Sequence, residues 1–211
     1  MKQKIITMLE LQDAMNGKVN ADWRNAGYEW YRAIWMESSE MLEHYGWKWW
    51  KKQQPDTMQV KLEVVDIVHF ALSIRLVQGG EQGSTLELVA ADIADEFARP
   101  QATDDIRTSI ELLARQTLMD QGAHFSNIAG VMNHLGMPFD ELYEIYVGKN
   151  VLNIFRQDNG YKEGHYIKTW RGREDNEHLA DILEQLDSDS ASFKRDIYQA
   201  LEQAYPEPAA A

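Results

Sequence analysis

The 211-residue sequence contains no cysteine. Neither a disulfide nor a thiolate metal site is available to it, a composition that fits a reducing cytosol. No apolar run approaches the roughly 18 residues that a membrane-spanning helix needs. The opening "MKQKIITMLELQDAMN" lacks an apolar block followed by small residues, so no signal peptide and no membrane partner are expected, and the expected location is cytoplasmic. Internal repeats, low-complexity linkers and convincing polar–apolar alternation are also missing, so no strand is predicted and the class reads as all-α. Positive charge is scarce: 21 Lys and Arg face 34 Asp and Glu, a net charge of -13. That balance denies the chain the basic face of a duplex-DNA binder, and no nucleic-acid polymer is expected as a partner.

Helical signals dominate what is present. Apolar residues recur at spacings of three and four in "IITMLELQDAM" and "VKLEVVDIVHFALSIRLV". Asn20 or Asp22 is placed to cap a long helix covering most of 23–45, which Gly46 and Pro55 in "HYGWKWWKKQQPD" would end. Asp56 or Thr57 can start the next helix, running to about 78, and "QGGEQGS" reads as a loop. Further helices are predicted over 85–98, 104–121, 125–135 and 139–155, punctuated by Pro100, Gly122 and Pro138, with a last helical region over 176–205 and a frayed "PEPAAA" tail. The length suits a single domain over 1–211, with room for a smaller mobile helical subdomain around 80–135.

"RQDNGYKEGHYIKTWRGRED" breaks this pattern and reads as a long ordered loop, the kind of segment that tends to carry function. Charge is uneven around it. Over 148–173 six basic residues face two acids, whereas over 174–211 ten acids face two basic residues. A basic island in an acidic chain is a place for an anion.

Two acid pairs lie on successive predicted helices: Glu37 and Glu40 as E-x-x-E, Glu63 and Asp66 as E-x-x-D. At i and i+3 each pair shares a helix face. Two readings stand. By the first, the acids are solvated faces, the usual fate of charged residues. Alternatively, Ile34, Trp35, Met36, Met41 and Leu42 around the first pair, and Val64, Val65, Ile67, Val68, Phe70 and Leu72 around the second, set them in apolar helices. Four carboxylates converging from two packed helices need cations, and all-oxygen donors suit Mg2+ or Mn2+. A di-iron centre would want two Glu-x-x-His motifs, and only Asp66 to His69 approaches one.

The segments "WYRAIWMESSEMLEHYGWKWWKK", "VKLEVVDIVHFALS" and "YVGKNVLNIFRQDNGYKEGHYIKTWRGREDNEHLADILEQ" resemble the dimeric all-α dUTPase family, which belongs with the MazG-type NTP pyrophosphatases. The acid pattern, with 22 residues between the pairs, is shared by that whole superfamily, whereas the segment from Gly148 onward is far more specific. "LQDAMN" is similar to the family's N-terminal stretch, and the region over 77–136 matches mainly in helical character.

The resemblance implies a helical bundle of the dimeric dUTPase or MazG-like type, a homodimer, and Mg2+-dependent hydrolysis of dUTP to dUMP and pyrophosphate, with Mn2+ as the substitute ion. Glu37, Glu40, Glu63 and Asp66 would be the metal ligands. Glu40 would take the proton from the attacking water, with Glu37 the other candidate. Gln12 and Asn16, one turn apart, would read the uracil edge, although by themselves they read as a polar helix surface. Trp50, with Trp47 nearby, would wall the pocket, while core packing is expected for at least one tryptophan. Lys51 would approach a phosphate or remain solvated, and His69 reads as a packed or hydrogen-bonded histidine beside the substrate. Lys149, Asn153, Arg156, Tyr161, Lys168 and Asn176 match the phosphate-contacting segment, in agreement with the charge count. The alternatives are a broader dCTP/dUTP or house-cleaning NTP pyrophosphatase and, from another class, a non-catalytic helical nucleotide-binding module.

Overall fold

A computed structural model describes residues 1–206; the expected frayed tail lies, from residue 207 on, outside the described residues. Nine helices and one two-stranded hairpin occur among them, as the all-α reading predicts. The chain divides into two compact units, Met1–Tyr143 and the part that begins at Glu144.

The first unit holds α1 (Lys2–Val19), α2 (Trp30–Tyr45), α3 (Thr57–Glu81), α4 (Leu86–Phe97), α5 (Ile106–Asp120) and α6 (Phe125–His134). Its centre is α3, buried nearly all round through Val60, Val64, Ile67, Val68, Ala71 and Leu72. A helix apolar on every side needs neighbours on every side, and α1, α2, α4 and α6 all pack on it. α2 also packs on α5. Asp56 starts α3 by accepting a hydrogen bond from the Gln59 N–H at 3.2 Å, satisfying one of the orphan donors of the first turn. Thr85 and Asp105 cap α4 and α5 in the same way.

The helix expected over most of 23–45 begins at Trp30. Asn20 accepts from the Asp22 N–H at 3.0 Å, and Gly27 adopts φ +63°. A short polar side chain bonding its own backbone competes with helix formation. Tertiary contacts then hold the break. Trp23 is buried against Trp30, and Arg24 donates to the Leu76 carbonyl at 2.8 Å and pairs with Asp13 at 2.9 Å.

The unit boundary falls within α7 (Phe139–Asp158). Beyond it, the segment expected to be a loop contains a hairpin, β1 (Thr169–Trp170) and β2 (Arg173–Glu174), antiparallel with Thr169 opposite Glu174. Arg171 and Gly172 both have positive φ, 52° and 82°, the geometry of a two-residue I′ turn. Strands of two residues are too short to alternate, so sequence periodicity cannot reveal them. The helical region expected over 176–205 holds two helices, α8 (Asp175–Leu183) and α9 (Phe193–Ala204), separated by turns. Within this unit Trp170 is fully buried, with Phe155 and Tyr205 edge-on to it and His178 stacked on it.

Candidate active site

The acid pairs lie on α2 and α3, which pack together. Glu37 and Asp66 are half-buried, Glu40 exposed and Glu63 buried, so the solvated-face reading fails for three of the four. Burial, followed by the charges of Asp66, Glu63 and Glu40, pushes the Glu37 carboxyl up to about 7. Desolvation and like charge both disfavour the ionised form, so Glu37 registers the charges of the other three acids.

His44 joins them. Its Nε2 lies 3.5 Å from Glu63 Oε1, and Glu40, His44 and Glu63 offer ligand atoms within 4.8 Å of one another. Sequence reasoning missed this histidine. The signal was available, because His44 stands one helical turn after Glu40 and shares its face. The apolar surroundings were partly misread as well: Trp35 and Met36 point outward, 42% and 48% exposed, while Ile34, Ser38 and Met41 form the buried stripe of α2.

Gln12 and Asn16 are buried, not part of a polar surface. Gln12 Nε2 donates to Asn16 Oδ1 at 2.9 Å, and Asn16 Nδ2 donates to Ser73 Oγ at 2.9 Å. His69 Nδ1 lies 2.8 Å from Gln12 Oε1. α1 and α3 thus bring His69, expected as a hydrogen-bonded histidine beside the substrate, to the two amides expected to meet the base.

None of Trp47, Trp49 and Trp50 is in the core, contrary to the expectation that at least one would be; Trp49 is 89% exposed. The three form an edge-on cluster, with Trp50 5.2 Å from each of the others, beside exposed Lys51. Lys48 pairs with Glu43. A cavity of about 420 Å³ lined by Trp23, Tyr28, Trp30 and Tyr31 shares no lining residue with the acid cluster.

In the second unit Lys149 is half-buried on α7, and Tyr161 and Lys168 are exposed. Asn176 sits in the first turn of α8, whose N-terminus carries the Glu174–Glu177 capping box. Lys168 lies 3.5 Å from Glu174. Arg156 is already engaged: Nε and Nη2 each donate to the fully buried Asp175 at 2.8 Å, and Nη1 donates to Asn153 at 3.1 Å. The Tyr166 hydroxyl also donates to Asp175, at 2.9 Å. Asp175 was not singled out in the sequence because nothing local marks its partner 19 residues earlier.

Fold and acid cluster define an all-α protein with a carboxylate centre shared by two helices. A family model described as dUTPase matches residues 4–161, and the chain belongs to that family. It is a nucleotide hydrolase, a dUTP diphosphatase, and such chemistry calls for a divalent cation, which the Glu40–His44–Glu63 group can hold. The match includes all four acids, the amides of α1 and the residues up to Tyr161; Lys168 and Asn176 lie beyond it. No curated protein matches the chain. No helix among the described residues is long and apolar enough to cross a membrane.

Proposed function

We propose that the chain hydrolyses dUTP to dUMP and pyrophosphate with Mg2+, for which Mn2+ substitutes, and that it acts as a homodimer. The observation that carries this reading is the Glu37 carboxyl, raised to about 7 by burial and three neighbouring carboxylates. Such a cluster is relieved by protons or by cations. Oxygen-rich donors fit hard divalent ions, so Glu37, Glu40, Glu63 and Asp66 would hold them. Bound there, divalent cations supply an acidified water and neutralise charge on the phosphates.

The remaining steps belong to the protein. Glu40, the more exposed acid of the E-x-x-E pair, takes the proton from the attacking water, with Glu37 as the second candidate. The linkage between the α- and β-phosphates is cleaved, and the elements of water are divided between dUMP and pyrophosphate. No covalent enzyme intermediate is needed. Gln12, Asn16 and His69 meet the base, with Trp50 as a wall and Lys51 toward the phosphates. Family resemblance and the basic island support phosphate contacts for Lys149, Asn153, Arg156, Tyr161, Lys168 and Asn176.

The experiment is to incubate purified protein with dUTP, dCTP, dTTP and UTP, with and without Mg2+, and to measure pyrophosphate against inorganic phosphate. Mg2+-dependent pyrophosphate release from dUTP well above the others is expected. Comparable turnover of several nucleotides would replace this reading with a broader pyrophosphatase. No turnover of any would leave a binding module.

A further inference from the structure

The buried polar network on α1 and α3 has a direction, and Ser73 sets it. Ser73 is fully buried, and its hydroxyl donates to the His69 carbonyl one turn earlier at 3.0 Å, the back-bonding common for serine within helices. A serine hydroxyl has a single proton. With that proton committed to a carbonyl, which only accepts, Ser73 Oγ faces Asn16 solely as an acceptor.

Each later bond then follows. Asn16 must present its amide nitrogen to Ser73, as it does at 2.9 Å. Its Oδ1 therefore faces Gln12 and accepts from Gln12 Nε2 at 2.9 Å. Gln12 must in turn present Oε1 to His69, at 2.8 Å from Nδ1. Since Oε1 has no proton, the proton of this bond resides on His69 Nδ1. A neutral imidazole carries one N–H, so Nε2 carries the lone pair. The relay contains two amides and one imidazole, and each of the three is ambiguous in isolation.

We propose that Ser73 is a positioning residue for base selection: by fixing the polarity of the Asn16–Gln12–His69 relay, it makes His69 Nε2 a hydrogen-bond acceptor matched to the ring N3–H of uracil, a position where cytosine has only a lone pair. The inference rests on the assignment of Gln12, Asn16 and His69 to the base under the proposed function. Discrimination by a site built for one hydrogen-bond pattern is strong, because the wrong pattern leaves buried polar groups unpaired.

The first test needs no nucleotide. Long-range proton–nitrogen correlation spectra of the 15N-labelled protein at pH 8 read which imidazole nitrogen is protonated, and a His69→Gln spectrum assigns His69 among the six histidines. The expected result is a His69 protonated on Nδ1 alone. Protonation on Nε2 would overturn the relay. In Ser73→Ala the Asn16 amide is released, and His69 should become a mixture of tautomers, while the ratio of kcat/KM for dUTP over dCTP should fall about tenfold or more. A single Nδ1–H tautomer persisting in Ser73→Ala would overturn the role of Ser73. A changed tautomer with an unchanged ratio would sustain the relay and sink the assignment of these residues to the base. Ser73→Thr retains a hydroxyl and is expected to keep both the tautomer and the ratio; if Ser73→Ala does not fold, loss of either in Ser73→Thr overturns the proposal.

Discussion

After burial and the charge of Asp66, the charge of Glu63 on α3 raises the Glu37 carboxyl on α2. Like charges held close favour the uptake of a proton or of a cation. This coupling links the two acid motifs, which lie on separate helices and have no local reason to meet.

The first prediction concerns pH. The Glu37 carboxyl is raised from 4.5 to about 7, by burial first and by Asp66, Glu63 and Glu40 next. Between those values the native metal-free protein binds more protons than the unfolded chain. Stability therefore falls as pH rises through that window and levels off above it. Thermal unfolding in EDTA should show a lower Tm at pH 8 than at pH 5.5 from this group. Glu37→Gln should flatten that part of the slope, and Mg2+ should raise Tm more at pH 8 than at pH 5.5. An identical slope in both proteins would remove Glu37 as its source.

The second prediction concerns turnover. Glu40 is exposed, so Glu40→Gln should change stability by no more than about 0.5 kcal/mol, as surface changes usually do. Loss of a general base lowers kcat by about 10²–10⁴-fold. A variant with near-normal kcat for dUTP would transfer the role to Glu37.

Arg156 yields a prediction about stability. Removing it would leave Asp175 buried without its bidentate partner, and breaking such a pair costs about 3–5 kcal/mol. Urea unfolding of Arg156→Ala should register that loss. Arg156→Lys should not restore it, because an ammonium cannot reproduce the two-pronged bond. A loss below about 1 kcal/mol would mean that water satisfies Asp175.

Gly130 tests close packing. A Cβ there would run into the backbone carbonyl of Gln101, whose N–H is itself held by the Ser126 carbonyl at 2.9 Å. The carbonyl cannot move aside as a flexible side chain can. Gly130→Ala is expected to cost about 1–3 kcal/mol, measured as a shift in the urea midpoint at constant slope. Full stability would show that α6 shifts without penalty.

Much of this was legible in the residues. The three-and-four apolar spacing and the proline and glycine stops marked most of the helices, and the acid pairs were visible at i and i+3, because both patterns are properties of one helix. The family resemblance rested on residues that the dUTPase match covers up to Tyr161.

What the tertiary structure decided is of a different kind. That Trp23 to Glu29 leave the helix depended on Arg24 reaching Leu76 and Asp13. That His44 stands with the acids depended on α3 bringing Glu63 to it. Gln12 and Asn16 looked like surface amides until α1 was laid on α3, and only then did Ser73 acquire a partner 57 residues away. Arg156 and Asp175 likewise found each other across a hairpin whose strands leave no periodic trace. Local spacing is written along the chain. The sign of a proton's position, the burial of an amide and the pairing of distant charges arise only when separate helices exclude water between them.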